Sequence, residues 1–210
     1  MKNSIKTLFA AALTTIILGT ASVVANAKDI NNSFTNLTSV KNINKIKISG
    51  NVKLILIQDG NESVQVYDNY YAKNALVQQQ NGELRISSFG KEALTVIAHV
   101  NNISSIEASN TSSIKTAGNF NLLNLNVVLN DGASADIKAN TVNLKTNING
   151  TANLTLSGST ENYNAVLGSI AKVSMNDFIA AESNVSSAPV LTYNTNRYED
   201  LKADLLESIF

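Results

Sequence analysis

A four-residue turn cassette recurs down the second half of the chain, and it limits the possible folds more than any other feature. It reads Asn-Thr-Ser-Ser at Asn110 to Ser113, Asp-Gly-Ala-Ser at Asp131 to Ser134, Asn-Gly-Thr-Ala at Asn149 to Ala152 and Gly-Ser-Ile-Ala at Gly168 to Ala171. Aliphatic residues follow, as Ile114, Ile137, Leu154 and Val173. A recurrence of roughly 17 to 23 residues is the spacing of stacked repeats, whose units cannot each bury a core and gain one by stacking. Between cassettes the apolar residues fall in short period-two runs such as Leu123 with Leu125, Val127 with Leu129, Val142 with Leu144 and Leu154 with Leu156. Strands of three to five residues, stacked coil on coil, would bury one inner column of aliphatics, while Asn, Asp, Gly and Ser take the bent backbone of the corners. Asn and Ser at equivalent corners are expected to form hydrogen-bonded ladders along the stack. An AT-rich genome explains the abundance of Asn as readily.

Before these repeats lie Ile43 to Ile48, Val52 to Gln58, Val64 to Tyr67, Ala75 to Gln79, Leu84 to Ser87 and Thr95 to Val100, all short, β-branched runs bounded by turn residues. Asp59-Gly60 and Asn81-Gly82 stand between such runs, and residues that tolerate positive φ at a tight turn predict two hairpins. In Val52 to Ile57 both parities are apolar, which predicts a strand covered on both faces. The chain therefore divides into a β region at 28–101 and repeats at 102–193.

The first 27 residues have the layout of a secretory signal peptide. Lys2 and Lys6 precede an apolar run from Leu8 to Val24, which ends in Ala25-Asn26-Ala27. A retained anchor is the alternative; the small residues of the A-x-A site favour cleavage after Ala27, with periplasmic or surface delivery and no stable membrane span afterwards. Loss of Lys2 and Lys6 leaves fourteen basic against sixteen acidic residues, without a like-charge run. Nucleic acid is excluded as a partner by that balance, because counterion release needs a basic face. The chain has no cysteine, so packing and backbone hydrogen bonds must stabilise it without disulfides or thiolate metal sites. Its apolar content of 44% is too high for a disordered tail, and the alternation points to an all-β protein.

These residues resemble the head GIN domain family, the auto-transporter adhesins of bacterial envelopes. The likeness covers Ile43 to about Tyr193. It lies in an opening strand pair, Ile46-Lys47-Ile48-Ser49-Gly50-Asn51-Val52, in Gly-Glu-Leu-Arg-Ile at Gly82 to Ile86, and in the small-polar, aliphatic repeats. The corners depart from the family's usual Ser-Gly-Ser. The resemblance implies a right-handed parallel β-helix, a β-solenoid, and it carries over no catalytic residue, cofactor or metal ligand.

A stack of strands has open ends that recruit other chains unless capped. Within 194–210, the apolar Tyr198, Leu201, Leu205 and Ile209 share one helical face, Glu199 and Asp200 fall in the first turn, and Thr195 or Asn196 can cap it. A helical cap over the final coil is expected; a docking or export tail is the other reading.

Candidate chemistry is sparse. His99 is the one histidine, and without a serine, cysteine or metal-spaced partner in sequence it reads as structural. Asp131 and Asp136 straddle one corner, with Glu107, Asp177 and Glu182 near others, so stacking could pair carboxylates as glycoside hydrolysis requires; solvated turn carboxylates are the plainer reading. Corner oxygens of Asp131, Asn149 and Ser169 could hold calcium, but the glycine-rich nonapeptide that makes that signal specific is missing. Tyr67, Tyr70 and Tyr71 would make either a binding patch or a seam between the two regions. Sequons at Asn36, Asn110 and Asn184 matter only in a eukaryotic secretory path. Two functions remain: a non-enzymatic envelope protein whose wall meets a glycan, polymer or surface protein, able to self-associate through its ends, and a polysaccharide-active enzyme on the same scaffold. A mixed-charge groove would favour the enzyme, and scattered corner charges the binding protein.

Overall fold

A computed structural model of the protein describes residues 34–37, 39–67 and 75–188. Among them the fold is all-β without a helix, a single curled sheet of 13 strands that mixes parallel and antiparallel pairs. In chain order the strands are β1 (Phe34–Leu37), β2 (Lys45–Gly50), β3 (Val52–Gln58), β4 (Ser63–Tyr67), β5 (Ala75–Gln80), β6 (Glu83–Ser88) and β7 (Leu94–Val100). There follow β8 (Ser105–Ser109), β9 (Ser113–Ala117), β10 (Phe120–Leu129), β11 (Ser134–Ile148), β12 (Asn153–Leu167) and β13 (Lys172–Ser187).

The repeats stack in parallel register. Asn124 sits beside Asn143 and Asn143 beside Asn162, a step of 19 residues, and the corner pair Asn110 and Asp131 steps by 21. The cassettes are the turns at Asn110, Asp131, Gly150 and Ser169. At these corners each coil hangs on the one before it: Gly132 N–H donates to Asn110 C=O at 3.0 Å, and Thr151 N–H to Asp131 C=O at 2.7 Å. The strands are longer than the sequence pattern predicts. β10, β11 and β12 run 10, 15 and 15 residues, because the chain bends at a single skipped pair and pairing resumes in the same register beyond it. At Leu123 and Asn124 two successive side chains face outward, and the same happens at Val142 and Asn143. This parity slip turns the strand from one wall of the coil to the next.

Three walls result. The first contains 105–109, 126–129, 145–148, 164–167 and 184–187; the second begins with 113–117, 134–138 and 153–157; the third is 120–122, 139–141 and 158–160. Inside, alternate residues form columns such as Leu84, Ile46, Ile106, Val127, Thr146 and Ala165, all buried. Ile114, Ala135, Leu154 and Val173 form another; Ile137 belongs to the next column, beside Leu156. The first three are buried and Val173 packs half-covered against them.

The first region joins the same sheet out of sequence order. β2 lies between β6 and β8, and β3 between β7 and β9, so the earliest rung is inserted between two later ones. Asn81-Gly82 makes the expected hairpin, with φ of 51° and 79° and Gln80 directly opposite Glu83. Asp59-Gly60 does not. β4 pairs antiparallel with β7, which stands between it and β3, and the Asp59 carboxylate instead accepts Asn61 N–H at 2.9 Å to close a local turn. On β3, Val52, Leu54 and Leu56 face the core, while Ile55 and Ile57 are half-buried on the outer face.

Side-chain ladders run along the stack as expected. Asn143 donates to Asn124 at 2.8 Å and Asn162 to Asn143 at 3.0 Å; Asn140 donates to Asn121 at 3.1 Å and Asn149 to Asn130 at 2.9 Å. The helix predicted within 194–210 lies outside the described residues, as does the signal peptide.

Candidate functional site

A cluster of charged side chains lies on the outer face of the first wall, and non-sequential strand order builds it. With Ile46 and Ile48 inward on β2, Lys45 and Lys47 must face out; the same parity exposes Glu83 and Arg85 on β6 and Ser105 and Glu107 on β8. Register then sets Lys45 between Glu83 and Ser105, and Lys47 between Arg85 and Glu107. They line an open hollow of about 290 Å³. Lys47 Nζ donates to Glu107 Oε1 at 2.7 Å, and Arg85 pairs with Glu83 on its own strand. The Arg85 hydrogen bond, with its charge and those of Lys47 and Lys45, holds the Glu83 carboxyl below the ordinary carboxylate range. Further along this wall a second hollow, about 330 Å³, is lined by Lys145, Asn164, Val166, Asn184 and Ser186.

Such a hollow is what the sequence could not display, since Lys45, Glu83 and Glu107 are far apart in the chain. It is the mixed-charge groove that would favour an enzyme. A glycosidic general acid needs a carboxyl raised to keep its proton near neutrality. Glu83 is shifted the opposite way and Glu107 is salt-bridged.

His99 is less alone than the sequence suggests. Its Nδ1 lies 3.3 Å from Asp59 Oδ2, and Ser63 is directly opposite on β4. The Asn61 backbone hydrogen bond and then His99 hold Asp59 below its ordinary range. None of the described hydrogen bonds joins Ser63 to His99.

The corner carboxylates do not converge. Asp131 accepts Asn110 N–H at 3.0 Å, Asp136 pairs with Lys115 at 3.3 Å on the second wall, and Glu107 lies in the first-wall hollow. Asp177 and Glu182 are on β13 beside Ser157 and Asn162. Among the described residues no group of three His, Cys, Asp or Glu is placed to hold a metal ion. For calcium, Asn149 gives its amide to Asn130, one register position away from Asp131. Glu62 lines a third hollow, about 350 Å³, where its carboxylate accepts the N–H of Ile43 at 3.2 Å and of Asn101 at 3.4 Å and so ties two loops together. Tyr67 packs on Phe34 with ring centroids 5.2 Å apart; Tyr70 and Tyr71 lie outside the described residues.

The family model "Putative auto-transporter adhesin, head GIN domain" matches residues 42–208. The chain belongs to the head GIN domain family. Among solved structures, a "putative adhesin" of Parabacteroides merdae is similar at 17% identity, over 77% of this chain and 78% of that one, with a TM-score of 0.57. Another "putative adhesin", from Parabacteroides distasonis, aligns at 14% identity over 76% and 79% with a TM-score of 0.55. A "putative lipid binding protein" of the same species aligns at 8% identity over 75% and 78% with a TM-score of 0.59. At these identities the likeness establishes the fold alone. No curated protein matches the chain. As a head GIN domain, the chain presents continuous walls of stacked side chains, of which the first carries the charged hollow.

Proposed function

We propose that this head GIN domain protein is a non-enzymatic, adhesin-like envelope protein, exported by a signal peptide cleaved after Ala27, that holds a surface polymer or glycan against a rigid wall. The observation that carries this reading is the parallel register of the outward side chains. Equivalent positions repeat at the interstrand spacing of about 4.8 Å, and amide ladders at 2.8 to 3.1 Å fix many of them before any ligand arrives. Preorganisation of this kind lowers the ordering cost of binding an extended chain. The 19-residue parallel step supports reading the repeats as a parallel β-helix, with β2 and β3 of the first region continuing the same stack; the right hand of the helix is what the family resemblance implies.

The last coil supports the capping role of 194–210. On β13, Val185 is 50% exposed, although Ala165, one coil earlier and directly beside it, is buried. The family match continues through residue 208, well past β13. The full mature protein, immobilised and presented with fractionated envelope polysaccharide, is expected to retain a polymer fraction without releasing reducing ends. Failure to retain any fraction rejects the binding role; release of new reducing ends favours the polysaccharide-active enzyme.

A further inference from the structure

We propose that the first wall is a binding site for an acidic polysaccharide laid across the strands, from the hollow at Lys45 to the hollow at Lys145. It deepens the polymer-binding reading and rests on it. Both hollows open on the same outer face, and register strings their residues in a row: Glu83, Lys45, Ser105, Asn126, Lys145 and Asn164. A chain running along that row crosses strands at about 4.8 Å per step, so the two hollows are about 19 Å apart from β2 to β12.

Charge selects the ligand. Lys47 is matched by Glu107 and Arg85 by Glu83, but Lys45 and Lys145 make no ion pair among the described residues. Each hollow thus carries one cation in excess of its carboxylates, Lys45, Lys47 and Arg85 against Glu83 and Glu107 in the first and Lys145 alone in the second, and an uncharged polymer would leave that excess unmatched. Three strand steps, about 14 Å, separate the two lysines, a span that recurring carboxylates on a sugar chain can bridge. Between them Ser105, Asn126 and Asn164 offer donors and acceptors for hydroxyls, and Val128 and Val166 on the adjoining row offer apolar contact to sugar C–H faces. A nucleic-acid backbone fits poorly, since Glu83 and Glu107 would oppose an unbroken line of phosphates.

The test is calorimetric titration of the full mature protein with polygalacturonate and with uncharged dextran, at low and high salt. Lys45→Ala with Lys145→Ala is compared with Lys53→Ala plus Lys172→Ala, which removes the same charge from the second wall. The expected result is salt-sensitive binding of polygalacturonate, no binding of dextran, and a loss of about fivefold per first-wall lysine, the upper end for an exposed charge contact. The second-wall pair should change affinity less than twofold. Equal losses from both pairs would mean unspecific attraction and overturn the proposal. Dextran binding as well as polygalacturonate, or retention of envelope polymer by a protein that ignores polygalacturonate, would also overturn it while leaving the polymer-binding function standing.

Discussion

Gly158→Ala tests the stacked-coil packing directly. Gly158 sits on the third wall beside Ala139 of the preceding coil, with φ of +102°. A methyl group there would lie 2.2 Å from the Ala139 carbonyl oxygen and 2.9 Å from its carbon. An ordinary carbon–oxygen contact needs over 3 Å, so the coils must part by about 1 Å. Gly118 supplies the control: its φ is +87°, yet nothing lies within 4 Å of an added Cβ. Both substitutions incur the strain of an L-residue at positive φ, about 1–2 kcal/mol, offset by about 0.5 kcal/mol from a less flexible unfolded chain. Gly158→Ala adds overpacking and weakens the ladder bonds on either side, about 1–3 kcal/mol more. We expect a loss of about 1 kcal/mol for Gly118→Ala and about 3–4 kcal/mol for Gly158→Ala, from urea unfolding followed by far-ultraviolet circular dichroism at constant m-value. Equal losses, within about 0.5 kcal/mol, would show that adjacent coils do not approach as closely as the register requires.

Thr116→Val removes the hydroxyl that accepts Lys138 N–H at 2.7 Å where the ladder between β9 and β11 stops, and the orphaned amide should cost about 1–3 kcal/mol in the same assay. Tyr163 is buried and bonded to Thr146 at 3.0 Å, and burial raises its phenol above 10.0. Its contribution is therefore present below about pH 10 and lost as pH rises through the folded value, so Tyr163→Phe should lose about 1–2 kcal/mol at neutral pH and show a shallower alkaline decline of thermal midpoint. Glu83 should titrate below 4.5 in carboxyl-resolved NMR, and Arg85→Ala should move it upward. Removal of 194–210 should convert the protein into concentration-dependent assemblies in light scattering; an unchanged monomer would deny that segment its capping role.

What the sequence disclosed was what repeats. The cassettes mark real corners, and Asn110 and Asp131 there both have φ of 60°; of the two turns expected to need positive φ, Asn81-Gly82 has it and Asp59-Gly60 does not. Inner columns were legible in part: Leu125, Val127, Leu129, Leu144, Leu154 and Leu156 are buried as period two predicts, but Leu123, paired with Leu125 in the pattern, is 65% exposed and Val142 also faces outward. Strand lengths were not. At Leu123-Asn124 the alternation slips by one residue, and in a sequence that slip is indistinguishable from a strand ending. Asp59-Gly60 misled for a different reason: turn chemistry reports that the chain bends, not which strand it meets afterwards, and β7 takes the place beside β3.

The same limit hid the charged hollow. Periodicity relates Asn124 to Asn143 because one rule generates both, whereas no local rule relates Lys45 to Glu83 and Glu107. Only the insertion of β2–β3 between β6–β7 and β8–β9 brings them together. One wall thus joins two kinds of surface: regular, amide-rich rungs whose ladders make it stiff, and a charged segment from the non-repeating region that can give it chemical preference. Substitutions in the repeats should then act mainly on stability, and those at Lys45, Glu83, Arg85 and Glu107 mainly on what the wall holds. Were Lys45→Ala to unfold the protein, or Asn143→Ala to abolish polymer retention without touching stability, that division of labour would be wrong.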